Sequence, residues 1–147
     1  MNAAQKAARR MAVAALVGML VGVGAPDARP AETREDAAEA AAESWLKLVD
    51  AGQYEESWEQ AAALFKKALT SEKWKEAVGP VREPLGAVVS RKVKSRQYTE
   101  QLPGAPDGKY VVIQYDTVFA NKASAVETVT PMLDTGGVWR VSGYFVR

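Results

Sequence analysis

Neither cysteine nor histidine occurs among the 147 residues. The first absence excludes structural disulfides, a thiolate nucleophile and lipid attachment through a processed cysteine, so a folded domain must hold together by its core. The second removes any Ser-His-Asp triad, and the two together remove the usual zinc sites. No glycine-rich phosphate loop and no calcium loop of spaced carboxylates is present. Any catalysis would fall to Asp, Glu, Tyr, Lys or Arg, and no cofactor or metal is implied.

Long apolar runs are missing too. The uncharged stretch Met11 to Val23 is too short to cross a bilayer, which needs about twenty apolar residues as a helix. Lys6, Arg9 and Arg10 precede it and Gly22-Val23-Gly24 closes it, the order of a secretion signal. Residues 1–25 are therefore read as a signal peptide cleaved near 24–28, 26–36 as a short flexible lead and 37–147 as one domain, a length that suits a single core. The expected location is periplasmic or secreted, with the membrane met only during export. Loss of Lys6, Arg9 and Arg10 would take the 19 basic residues to 16 against 18 acidic ones, a formal charge of −2. Nucleic-acid binders need a positive excess to displace counterions, so nucleic acid is not an expected partner. The one basic run, Arg91, Lys92, Lys94 and Arg96, reads as a solvated strand whose charges discourage edge pairing.

Within the domain the hydrophobic period changes once. Thr33 and Asp36 form a capping signal, and Ala38, Ala41, Ala42, Trp45, Leu48 and Val49 mark one helical stripe that ends at Gly52. Tyr54, Trp58, Ala61, Ala62, Phe65 and Leu69 mark a second helix, acidic early and basic late as the helix dipole favours. A third begins near Ser71 with Trp74, Ala77, Val78 and Val81 on its apolar side, and Pro80 is expected to bend or end it. From Val88 the pattern alternates instead, giving strands over about Val88–Gln101, Tyr110–Ala120, Ala123–Leu133 and Val138–Val146. Connections this short permit an antiparallel meander and not a parallel sheet. The predicted fold is α+β, with about three N-terminal helices on one face of a curved four-stranded antiparallel sheet. Trp45, Trp58, Trp74 and Trp139 read as core.

Four groups of residues carry a resemblance: Asp50-Ala51-Gly52-Gln53-Tyr54 with Trp58; Arg82-Glu83-Pro84-Leu85-Gly86 with Arg91; Phe119-Ala120-Asn121-Lys122 with Glu127-Thr128-Val129; and Trp139-Arg140-Val141-Ser142-Gly143-Tyr144. In these the chain resembles the family catalogued as domain of unknown function 4019, itself similar to cystatin-like and nuclear-transport-factor-2-like cones. The resemblance spans Ala37 to Arg147 and implies a bacterial envelope protein, without supplying a reaction.

The candidate site residues are Arg82, Tyr115, Glu127, Arg140 and Tyr144, for ligand binding or for a structural polar network. Glu127 and Arg140 sit centrally in adjacent strands, where an inward charge is costly unless paired. Pairing across the Asp134–Gly137 turn sets Arg140 near Pro131 or Met132, so Tyr144 or Arg82 is an easier partner for Glu127. The expected function is non-catalytic binding of a small molecule or of an envelope protein, with homodimerisation compatible with either. The alternative is a small-molecule isomerase or dehydratase using a carboxylate and a tyrosine hydroxyl; Tyr115 and Asp116, being adjacent in a strand, point to opposite faces and cannot share that pocket without a bulge. The leader makes a direct prediction. Exported protein will start between residues 25 and 29, as read by intact mass; recovery with Met11 to Val23 still attached would remove the export assignment.

Overall fold

The computed structural model describes residues 30–147, so the leader expected over 1–25 and the start of the lead lie outside the described residues. Helix α1, Arg34–Asp50, begins with a complete capping box: Asp36 N donates to Thr33 Oγ1 and Thr33 N to Asp36 Oδ2, each at 3.1 Å. This start lies inside the stretch 26–36 read as flexible lead, because the box satisfies two amides that an uncapped end would leave to water. Ala38, Ala42, Trp45, Leu46 and Val49 are buried on its inner side. The alanines let the helix axis approach the sheet closely. Gly52, at φ 73°, closes the turn beyond α1 in the left-handed region.

The second predicted helix is two short ones, α2 (Tyr54–Glu59) and α3 (Ala63–Ala68). Between them Ala62 is extended, at φ −62° and ψ 154°, and its amide donates to the Val141 carbonyl at 2.8 Å. Ala61 and Ala62 have no exposed surface. Two small residues thus let the backbone touch the last strand, and a hydrogen bond to the sheet replaces one within a helix. Helix α4, Ser71–Leu85, runs through Pro80 instead of ending there. The carbonyl that Pro80 cannot serve belongs to Glu76, an exposed residue, so its lost bond is not sealed inside the core.

Strands β1 (Val88–Thr99), β2 (Tyr110–Phe119), β3 (Lys122–Asp134) and β4 (Val138–Val146) form one antiparallel sheet in sequence order. On β2, Val111, Ile113, Tyr115, Thr117 and Phe119 are all buried on one face, as the alternation predicts. Helix α1 lies across that face. The core beneath it joins Trp45, Phe65, Trp74 and Tyr144, whose ring centroids lie 5.0 to 6.3 Å apart. The indoles are tied down as well as packed. Trp45 Nε1 donates to the Ser57 carbonyl at 2.7 Å, and Trp74 Nε1 to Ser57 Oγ at 2.9 Å. Trp58 and Trp139 pack against this cluster while partly exposed. Among the described residues no helix is long and apolar enough to cross a membrane.

Gly86 joins the helical half to the sheet at φ 75°, and a Cβ there would lie 3.0 Å from Asn121 Nδ2 and 3.2 Å from Ala120 Cβ. Both backbone strain and crowding oppose any side chain. Gly86→Ala will lower unfolding stability by about 1–3 kcal/mol, measured by urea denaturation; an unchanged midpoint would mean that the turn is free to rearrange.

Candidate functional site

Glu127, in the middle of β3, has no exposed surface and is held from four directions. Thr117 Oγ1 on β2 donates to Oε1 at 2.6 Å, and Tyr144 Oη on β4 donates to Oε2 at 2.6 Å. Arg91 on β1 reaches over β2 to donate Nε to Oε1 at 2.7 Å and Nη2 to Oε2 at 3.2 Å. Arg82, in the last turn of α4, sets Nη1 at 3.8 Å from Oε2. A second carboxylate balances the two guanidiniums. Asp50, the last residue of α1, accepts from Arg91 Nη1 at 2.8 Å, Arg91 Nη2 at 2.9 Å and Arg82 Nη2 at 2.7 Å. Six side chains from six elements therefore form one network of two formal positive and two formal negative charges.

Each shift in titration has a local cause. Burial alone would push Asp50 up, but the hydrogen bonds from Arg91 and then Arg82 outweigh it and hold its carboxyl below the ordinary 3.8. Burial works to discharge Arg91, and the bonds to Asp50 and Glu127 overcome that and raise it. Arg82 is raised in the same manner against its burial, by Tyr144, Asp50 and Glu127. Tyr144 is raised by burial and by the neighbouring Glu127 charge, so its hydroxyl stays protonated and donates. Arg82 also stacks over Phe119, with Cζ 5.1 Å from the ring centroid.

The residues singled out from sequence divide here. Arg82, Glu127 and Tyr144 meet in the network. Arg140 pairs with Met132 in the sheet and sends Nε to within 3.7 Å of Asp134 Oδ2, with 40% of its side chain exposed, so it stands apart from Glu127. Tyr115 is buried at 1% exposure, and its hydroxyl makes no hydrogen bond among the described residues. Asp116 points away from it, as alternation requires, toward Lys94 Nζ at 3.8 Å. Sequence reasoning missed Asp50, Arg91 and Thr117. A signal for Asp50 existed: an acid in the last turn of a helix opposes the dipole and needs cations close by. The basic run reads as solvated, but its arginines, Arg91 and Arg96, face inward toward α1.

Beside the network, between α1 and the β1–β2 pair, lies a depression of about 320 Å³. Glu43, Lys47, Asp50, Arg91, Val93 and Tyr115 line it. Glu127 is not among them. Among the described residues no group of three or more acidic side chains is placed to hold a metal ion.

The family model described as Protein of unknown function (DUF4019) matches residues 41–144, and the chain belongs to that family. The match contains all six network residues. No curated protein and no solved structure matches the chain.

Two predictions follow from the network. Glu127→Gln leaves two guanidiniums facing one carboxylate in a buried site, and will cost about 3–5 kcal/mol of stability in urea denaturation; a loss under about 1 kcal/mol would mean the network does not support the fold. Because the folded pKa of Asp50 lies below 3.8, its contribution is complete above about pH 4 and disappears as pH falls through the folded value. Stability will therefore drop below pH 4, and Asp50→Asn, already weakened at neutral pH, will show a shallower drop. Parallel pH curves for the two proteins would contradict the assignment.

Proposed function

We propose that this member of the DUF4019 family is an exported, non-catalytic domain that binds a small polar ligand in the depression between α1 and the β1–β2 pair. The observation that carries the reading is Tyr115. Its hydroxyl is buried, lacks a hydrogen-bond partner and belongs to a residue lining a depression bordered by charged side chains of both signs. Buried hydroxyls are almost always paired, so an uncommitted one beside a concavity is a natural contact for a ligand. Export is supported by Lys6, Arg9 and Arg10 ahead of the short apolar run Met11 to Val23. Helices first and an antiparallel meander second is also the order of cystatin-like and nuclear-transport-factor-2-like cones, and the fold is read as a member of that group.

The isomerase or dehydratase alternative needs a carboxylate free to take a proton from a bound substrate. Glu127 beside Tyr144 has the right residue types, but both of its oxygens are already occupied by donors and none of its surface is exposed. A substrate could reach it only by breaking bonds to Arg91, Thr117 and Tyr144. The Tyr115 hydroxyl is covered as well, but among the described residues it holds no hydrogen bond that a ligand would have to break. A fragment library of small polar molecules, screened by amide chemical-shift perturbation in the full-length chain, tests it: hits are expected to cluster at Lys47, Val93 and Tyr115, and Tyr115→Phe to weaken them. Hits confined to other surfaces would overturn the reading.

A further inference from the structure

Helix α1 and strand β1 face each other as two charged rails. At one end Arg96 Nη1 donates to Asp36 Oδ1 at 2.7 Å and to Glu39 Oε2 at 2.8 Å. At the other, Arg91 holds Asp50 through two bonds of 2.8 and 2.9 Å. Between these closed rungs the helix offers Glu43, and among the described residues Glu43 forms no ion pair within 4.0 Å. The strand offers no cation there. Its middle inward position is Val93, opposite Tyr115 in the sheet. A register shift between Val93 and Ser95 accompanies this, and Lys94 turns to the outer face, where its Nζ lies 3.8 Å from Asp116. The strand's own ammonium groups are thus directed away from the rung that lacks a positive charge.

A second observation is independent of the carboxylates. Tyr115, which lines the same depression as Glu43 and Val93, has its hydroxyl buried and without a partner. The hydroxyl oxygen can accept a hydrogen bond that nothing among the described residues supplies. Burial and then the nearby charges of Glu39 and Glu43 keep that hydroxyl protonated and neutral. Lys47, exposed on the rim one turn from Glu43, is the neighbouring cation against which a ligand would compete.

We propose that the open rung binds an alkylammonium group, with Glu43 as its countercharge and the Tyr115 hydroxyl as its buried acceptor. The proposal rests on the depression being the binding site and adds the charge and class of the ligand. Free amines and lysine side chains share this chemistry, and the two sources can be told apart by experiment.

The full-length chain is titrated with n-butylammonium, n-butanol, n-butyrate and Nα-acetyl-lysinamide, following the amides of Glu43, Val93 and Tyr115. The butylammonium ion is expected to bind about tenfold or more tightly than the alcohol or the acid. Glu43→Gln, an exposed and conservative change, should weaken it about tenfold while leaving thermal stability unchanged. Val93→Lys, which places an ammonium group on the rung, should abolish amine binding. Tighter binding of acetyl-lysinamide would mark a protein side chain as the source, and equal binding a free amine. Butyrate or butanol binding at the same amides as tightly as the amine would overturn the charge assignment and leave the binding site standing. Silence from all four molecules, together with fragment hits elsewhere, would overturn both.

Discussion

The guanidinium of Arg91 is the point at which the helical half and the sheet are joined. It lies between Asp50 at the end of α1 and Glu127 at the centre of β3, making two bonds to each carboxylate. A fork of fixed geometry with donors on two sides suits that position, and the three donors on the one nitrogen of a lysine could not make two bonds to each carboxylate. The bond to Glu127 spans β2, with Thr117 of that strand donating to the same carboxylate. Three strands are thereby held in one register. A slip of one residue in β1 or β3 would turn Arg91 or Glu127 to the opposite face and leave a buried charge without its partner.

Burying Glu127 and Arg82 and partly covering Arg91 and Asp50 is costly, and their mutual attraction does not by itself guarantee a gain. Position makes the arrangement workable. Asp50 ends α1, where the helix dipole already places partial negative charge, so the two guanidiniums sit at the helix end that favours cations. Arg82 adds stacking on Phe119, and Tyr144 joins the aromatic cluster through Trp45 and Trp74 while donating its hydroxyl to Glu127. Apolar packing and polar pairing therefore meet in the same side chain. Movement of Tyr144 would disturb both together, which makes the network a device for specifying one packing more than a source of free energy.

Much of this architecture was legible in the residues because it depends on period alone. The change from a helical stripe to an alternating pattern near Val88, weak in β1 and clear in β2, separates helices from sheet, and the short turns dictate a meander. The break at Ala61–Ala62 was hidden, since alanine is an excellent helix former and its extended conformation is imposed by the contact with Val141. The continuation through Pro80 depends on solvent exposure, which period does not report. For the site, Asp50, Arg82, Arg91, Glu127 and Tyr144 all fall within or beside the segments that carried the family resemblance. What those segments lacked was geometry. Arg91 meets Glu127 from two strands away, and a reading of adjacent strands considers neighbours first.

The same geometry explains why a binding site is more natural at the seam of α1 and β1 than in the middle of the helix-covered sheet face. That face is filled by Trp45, Phe65, Trp74 and Tyr144, and its one buried carboxylate is saturated with donors. Three buried polar atoms remain without partners among the described residues: Arg82 Nε, Thr128 Oγ1 and Tyr115 Oη. The first lies within the network and is enclosed by it. Thr128 pairs with Phe145 and Gln114 on the outer side of the sheet, apart from the charged seam. Tyr115 combines an unused hydroxyl with a depression and a carboxylate that has no ion pair. In a domain without histidine or cysteine, recognition must rest on such hydroxyls and charges. Where the α1–β1 rails are closed by arginine, those groups are already consumed, and the interval at Val93 is where they stay available.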